Sequence, residues 1–354
     1  MTRNNSNHEK NSPSLSPIDA RDAFSRLDET EDERFYKQDR FVSHLDAVAL
    51  DAVESIIGQL IVEPHPVILD LMAGWDSHIP EKIKPAKTVG LGLNENELSK
   101  NHRLDDFVIH DVNKKPMLPF PDGLFDIVLN TVSVDYMTHP VEVFREVGRI
   151  LKPGGLYLVT FSNRMFPEKA VKVWRDADEE GRILLVEELF ERSGAFEGPA
   201  TVVSKGKPRP KNDKYAHLGI PSDPIYTVHA ERRGGDPTRK PRPSVKVTYG
   251  EKLPPEILEE RQKAVKHTMA CPYCGERLLK WAVPESPFVQ TWDNDFMYVC
   301  FNDACPYYVR GWDCMSDQGN RCASYRLMYH PEKDRCMPIP VNSPKALKEG
   351  IIQE

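Results

Sequence analysis

Two pairs of cysteines carry the clearest chemistry in this chain: Cys271 and Cys274 in CPYCG, and Cys300 and Cys305 in CFNDAC, with 25 residues between the pairs. Two short turns, each bearing two thiolates, can close on one ion without a large core, and four thiolates suit the tetrahedral geometry of a structural Zn2+ site. All seven cysteines lie between Cys271 and Cys336. The polar N-terminus, MTRNNSNHEKNSPSLSPIDARD, has no apolar run of the kind an export signal needs, so the cluster reads as metal ligands rather than a disulfide framework. A module of about 40 residues buries too little apolar surface to fold alone, and the ion should supply much of its stability. Cys314, Cys322 and Cys336, near His330, have irregular spacings and read as free thiols.

A second set of polar residues sits at the ends of apolar runs. Asp70 closes PVILDL and precedes the turn AGWDS; Asp111 follows FVIH; Asn130 lies in FDIVLNTVS, with Asp135, Tyr136 and His139 soon after it. These runs, with KTVGLGLN and LYLVTFSNR, read as five strands buried on both faces. A helix is expected from Phe41, where Val42, Leu45, Val48, Ala49, Val53, Ile56, Ile57 and Leu60 recur at helical spacing, with Ser43 and Asp46 near its start. VEVFREVGRILKPGG reads as a helix that ends on its proline and glycines, and ILLVEELFERSG as another. Strands alternating with helices imply an α/β fold with a mostly parallel sheet, while ATVVSK and PIYTVHAER are expected to pair as an antiparallel hairpin at its edge.

With 354 residues and 40% hydrophobic content, the chain has room for two domains. Residues 1–30 are expected to be a disordered tail, 31–233 the α/β domain, 234–266 a linker with the short helix PPEILEERQKAVK, and 267–340 the cysteine module with its C-terminal extension. No apolar stretch is long enough to cross a bilayer, and the chain is expected in the cytoplasm without a membrane partner. The net charge of −7 argues against a nucleic-acid glove made of the whole chain.

The wording of VILDLMAGW, LPFPDGLFDIVLN and VFREVGRILKPGGLYLVTFS resembles the class I S-adenosylmethionine-dependent methyltransferases, in particular the type 11-like group, whose Rossmann-like sheet ends in an antiparallel hairpin. That resemblance implies S-adenosylmethionine as cofactor, held by Asp70 and Gly74 after the first strand, Asn94 after the second, Asp111 after the third and Asn130 at the end of the fourth. Met72 and Asp76 stand where the family often has glycine, and Gly92 where it has an acidic residue for the ribose hydroxyls, with Asn94 or Glu95 as substitutes.

The α/β domain has no cysteine, which sets aside methylation at carbon five of cytosine, and NTVSVDY is unlike the motif for amino methylation of bases. An unidentified acceptor remains, with Asp135, Tyr136 and His139 as catalytic candidates and Tyr36, Arg40 and His44 as a lid. The stretch from CPYCGE to YVCFNDACPYY resembles the Ogr/Delta-like zinc fingers, which implies recruitment of an acceptor or a partner such as nucleic acid or the transcription machinery. The alternative function is a non-catalytic nucleic-acid or transcription-related binding protein on an inactive scaffold. Lys205, Lys207, Arg209, Lys211, Lys214, Arg232, Arg233, Arg239, Lys240 and Arg242 form either a solvated linker or an arm for phosphates.

Overall fold

A computed structural model describes residues 16–245, 253–284 and 294–352. Residues 1–15 of the expected tail and 246–252 of the expected linker lie outside that range. The elements run α1 (Asp32–Phe35), α2 (Ala47–Leu60), β1 (Val67–Leu71), β2 (Lys87–Gly92), α3 (Glu95–Ser99), β3 (Asp106–Ile109), β4 (Phe125–Thr131), α4 (Pro140–Ile150) and β5 (Leu151–Phe161). Then come α5 (Lys172–Asp176), α6 (Glu179–Ser193), β6 (Ala200–Ser204), β7 (Ile225–Glu231) and α7 (Pro255–Thr268). The cysteine module adds β8 (Leu279–Ala282), β9 (Phe296–Val299), α8 (Pro306–Asp317), β10 (Ser324–His330) and β11 (Arg335–Val341).

The first seven strands form one sheet in the order β3-β2-β1-β4-β5-β7-β6. Its first five strands are parallel, and β7 runs antiparallel to both β5 and β6. This is the Rossmann-like architecture expected, with the hairpin at the edge. Alternate residues serve opposite faces: Ile68, Ile127 and Leu129 pack under Val53, Ile56 and Ile57 of α2, whereas Leu69, Val128 and Tyr157 pack under Val147 of α4 and Phe190 of α6. Burial on both faces is why these strands appear in the sequence as unbroken apolar runs.

Three boundaries differ from expectation. The first long helix starts at Ala47, because the Asp46 carboxylate accepts from the N–H groups of Val48 and Ala49; residues 41–45 form an irregular, bent strap instead. Lys152–Gly155 open β5 rather than close α4, with a register shift against β4 between Phe125 and Ile127. Residues 16–30, expected to be disordered, are tied down: Ile18 and Ala23 enter the core, and Arg26 makes an ion pair with Asp32 at 2.7 Å.

The module forms a second sheet, β11-β10-β9-β8, wholly antiparallel. Its α8 lies between β10 and β6, so the two domains touch. The seam is close: a Cβ on Gly206 would stand 2.0 Å from Nε1 of Trp312, and Gly206 has φ +74°. Lys205 Nζ lies 4.7 Å from the centre of the Trp312 ring, and Lys207 is buried.

Most of the basic residues expected on a solvated linker or arm are engaged instead. Arg209 pairs with Asp223, Arg239 and Arg242 pair with Glu63, Lys205 pairs with Glu179, and Arg232 and Arg233 donate to the carbonyls of Leu151 and Phe196. No helix among the described residues is long and apolar enough to cross a membrane.

Candidate functional site

A cleft opens beyond the carboxyl ends of β1, β2, β3 and β4, where an open parallel sheet places its ligands. The turn after β1 forms its floor. Met72 adopts φ +60° there, so the left-handed backbone that a glycine would give is kept by a residue that adopts it at a cost of about 1–2 kcal/mol. Ala73 donates its N–H to the carbonyl of Leu91 at 2.8 Å, which lays the turn across the end of β2. A Cβ on Gly92 would stand 2.4 Å from the Ala73 carbonyl oxygen. No side chain fits at position 92 while the turn keeps this shape.

Glu97, in the first turn of α3, brings a carboxylate to the cleft near the end of β2, and the sequence analysis did not single it out. Its Oε1 accepts the backbone N–H of Arg40 at 2.6 Å, while its Oε2 reaches to within 3.4 Å of where a Cβ on Gly74 would be. Burial raises its pKa, against the pull of the Arg40 N–H and charge. Asn94 lines the cleft too, but its Oδ1 caps α3 through the Glu97 N–H and its Nδ2 donates to the Tyr36 carbonyl. Asn94 thus caps α3 and ties it to the segment at Tyr36 while facing the cleft. Glu95, its expected alternative, is exposed and does not line the cleft.

Asp70 and Gly74 line the cleft. Burial holds the Asp70 carboxyl up at about 6, although a hydrogen bond from Ser77 and the charge of His78 pull it down. His78 is itself held above its usual basicity: burial opposes the charged ring, but Asp76 at 3.2 Å and Asp70 outweigh it. Asp111 also lines the cleft, and its Oδ1 accepts from the N–H groups of Asn113 and Lys114, fixing the turn after β3.

Asn130 does not reach the cleft. It is wholly buried, its Nδ2 donating to the Leu71 carbonyl and to Ser133 Oγ. It ties the ends of β1 and β4 together, and its neighbours Thr131, Val132 and Ser133 face the cleft in its place. Val132 has φ +46°, an uncommon conformation for a β-branched residue and a form of strain that concentrates at functional sites.

Of the three catalytic candidates, only Tyr136 lines the cleft, with its hydroxyl accepting the N–H of Phe166 at 2.9 Å. Asp135 points away into the core, where burial pushes its carboxyl up to about 7 and Oδ2 meets no donor. His139 is exposed at the start of α4 beside Thr138, lining a hollow shared with Asp111 rather than the cleft. Tyr36, Arg40 and His44 all belong to the wall. The Arg40 guanidinium lies 4.7 Å from the Phe35 ring centre and 5.3 Å from that of Phe166, and Trp75 Nε1 donates to the Val42 carbonyl at 3.3 Å. These contacts hold the strap against the cleft wall.

In the module, the Sγ atoms of Cys271, Cys274, Cys300 and Cys305 all lie within 4.8 Å of one another. Cys271 and Cys305 are 3.8 Å apart, Cys274 and Cys300 3.6 Å. A tetrahedron with metal–sulfur bonds of about 2.3 Å has edges of about 3.8 Å, so the cluster is compatible with zinc. Among the other thiols, Cys322 lies 3.2 Å from Glu180 and Cys314 3.6 Å from Gln318, while Cys336 pairs with Tyr329 across the β10–β11 ladder.

Residues 77–159 match the family model described as a methyltransferase domain. A phthiotriol/phenolphthiotriol dimycocerosates methyltransferase of Mycobacterium tuberculosis is 37% identical over 89 residues, which cover 24% of this chain and 32% of that protein. A ubiquinone/menaquinone biosynthesis C-methyltransferase of Chromobacterium violaceum is 32% identical over 111 residues, 30% of this chain and 41% of its own. The chain thus spans about a third of the length of the first of these relatives. An S-adenosylmethionine-dependent methyltransferase structure from Mesorhizobium loti covers 52% of this chain and 98% of its own, with 17% identity and a TM-score of 0.35. The Rossmann-like domain therefore carries a methyltransferase-family segment, running from the turn after β1 into β5.

Proposed function

We propose that this chain transfers a methyl group from S-adenosylmethionine to an acceptor entering beside Tyr136. The observation that carries the reading is the turn after β1, whose left-handed backbone at Met72 and close approach to Gly92 keep the cleft open despite the missing glycines. The residues present fit the cofactor. Glu97 would accept from the ribose hydroxyls, Gly74 would leave room for the backbone to approach, and Asp111 and its turn would receive the adenine. Asp70 would face the amino-acid end. When bound, S-adenosylmethionine supplies an activated methyl group.

Within the chain, the strap from Tyr36 to Asp46 excludes water, and Tyr136 and Val132 set the line of approach, so that positioning contributes most of the rate. Zn2+, held by Cys271, Cys274, Cys300 and Cys305, would stabilise the module. The module's role on this reading is to brace the β6–β7 loop through Trp312 and Gly206. The internal pairing of Arg209, Arg239 and Arg242 favours this reading over a nucleic-acid scaffold, because little of that charge is left for phosphates.

Calorimetric titration of the metal-replete chain with S-adenosylmethionine and S-adenosylhomocysteine tests the reading. Micromolar binding of both is expected; a folded chain that binds neither would overturn it.

A further inference from the structure

A second cavity adjoins the cleft, walled by the strap before α2, by the segment after β5 and by the loop between β6 and β7. The two share Val42, Leu45, Val132, Tyr136 and Phe166. Its lining combines apolar side chains such as Met165 and Phe166 with three cations, Arg164, Arg209 and Lys214, and three carboxylates, Asp46, Asp213 and Asp223. Around the ring of Tyr215, the Lys214 Nζ lies 4.8 Å from the centre, the Arg164 guanidinium 5.0 Å and that of Arg209 6.0 Å.

Three cations on one ring repel one another, and a cation–ring contact at an exposed site contributes only about 0.5–1 kcal/mol. The neighbouring carboxylates are already taken. Asp46 accepts from Val48, Ala49, Ser222 and Asp223; Asp223 accepts from Asp46, Arg164 Nε and Arg209; Asp213 accepts from Tyr215 and Arg209. Arg209 is consumed in these contacts. Among the described residues, the two Nη atoms of Arg164 and the Nζ of Lys214 have no hydrogen-bond or carboxylate partner. His44, on the same wall, is held below its usual basicity first by burial and then by the charges of Arg40 and Lys214.

The geometry points to an organic acid as the molecule this cavity takes: its carboxylate or phosphate is held by Arg164 and Lys214, and its apolar body lies along Met165 and Phe166. Only its role as methyl acceptor, with the accepting atom at the Tyr136 end, rests on the methyltransferase reading; the anion site itself does not.

Benzoate, phenyl phosphate and uncharged benzyl alcohol are titrated into the metal-replete full chain, with and without S-adenosylhomocysteine, by calorimetry or ligand-observed NMR. At least one acid should bind while benzyl alcohol does not, and the tighter acid identifies the anion. Lys214→Gln and Arg164→Gln should each weaken it by about tenfold, whereas Lys211→Gln, on the same loop but outside the cavity, should not. Because Lys214 is exposed, its variant keeps the fold even if loss of the Arg164–Asp223 contact does not. Equal binding of acid and alcohol, no binding of either acid, or acid binding unchanged in Lys214→Gln would overturn the assignment. Acid binding that depends on Lys214 in a chain that binds no S-adenosylhomocysteine would sustain the anion site and remove the methyltransferase reading alone.

Discussion

The carbonyl oxygen of Ala73 occupies the space that a side chain on Gly92 would need, 2.4 Å from an added Cβ. Restoring an acidic residue there with Gly92→Asp should therefore harm the protein. Overpacking against backbone costs about 1–3 kcal/mol, and the displaced turn should lose S-adenosylhomocysteine. A calorimetric titration showing tighter binding in Gly92→Asp would refute this account of the turn.

Glu97 should carry the cofactor affinity that position 92 cannot. Glu97→Gln keeps the shape of α3, whose cap is Asn94, but removes the charge, and should weaken S-adenosylhomocysteine by about tenfold or more with little change in melting temperature. Unchanged affinity would assign Glu97 to holding the strap through Arg40 and nothing else.

At Met72 the usual order of substitutions should invert. Glycine is ordinarily less stable than alanine by about 0.5–1 kcal/mol within a regular element, but a residue at φ +60° is strained unless it is glycine. Met72→Gly should therefore be more stable than Met72→Ala by about 1 kcal/mol, read by denaturant unfolding. The opposite order would mean that this backbone is not left-handed.

Asp135 should make stability fall as pH rises. Burial raises its folded pKa from 3.8 to about 7, so between those values the folded chain holds a proton that the unfolded chain has lost, and folding weakens across that window. Asp135→Asn removes the ionisation. Its melting temperature relative to the parent should improve between pH 5 and pH 8, and a difference that stays constant over this range would contradict the assignment.

Loss of one thiolate should release the metal. Cys271→Ser is expected to abolish stoichiometric zinc, measured by atomic emission, and to expose the module from residue 253 onward to protease while the large domain persists. Retained stoichiometric zinc would disprove the ligand set.

The sheet was legible because strands buried on both faces leave continuous apolar runs, and the hairpin because its two strands are bounded by turn residues. The cysteine cluster was legible because its spacing alone brings four thiolates together. Glu97 was hidden: the sequence pointed to Asn94 or Glu95, the polar residues nearest the strand end, and nothing local shows that one carboxylate oxygen of Glu97, a turn further on, reaches toward Gly74. Asn130 and Asp135 misled for the converse reason, since polar residues near a strand end look functional until the pleat and the following turn point them inward. The basic loop misled because its carboxylate partners, Asp46, Glu63 and Glu179, are distant in the chain.

The contact between Gly206 and Trp312 also limits how this sequence can drift. The indole fills the place of a side chain at 206, and the backbone there is already left-handed, so a mutation at 206 has little room to be accepted until the tryptophan has first become smaller. Losing the tryptophan first opens a void at the seam. Two genes fused by chance could exchange one half for an unrelated one, but a chain with this contact inherits both halves as a single unit of selection.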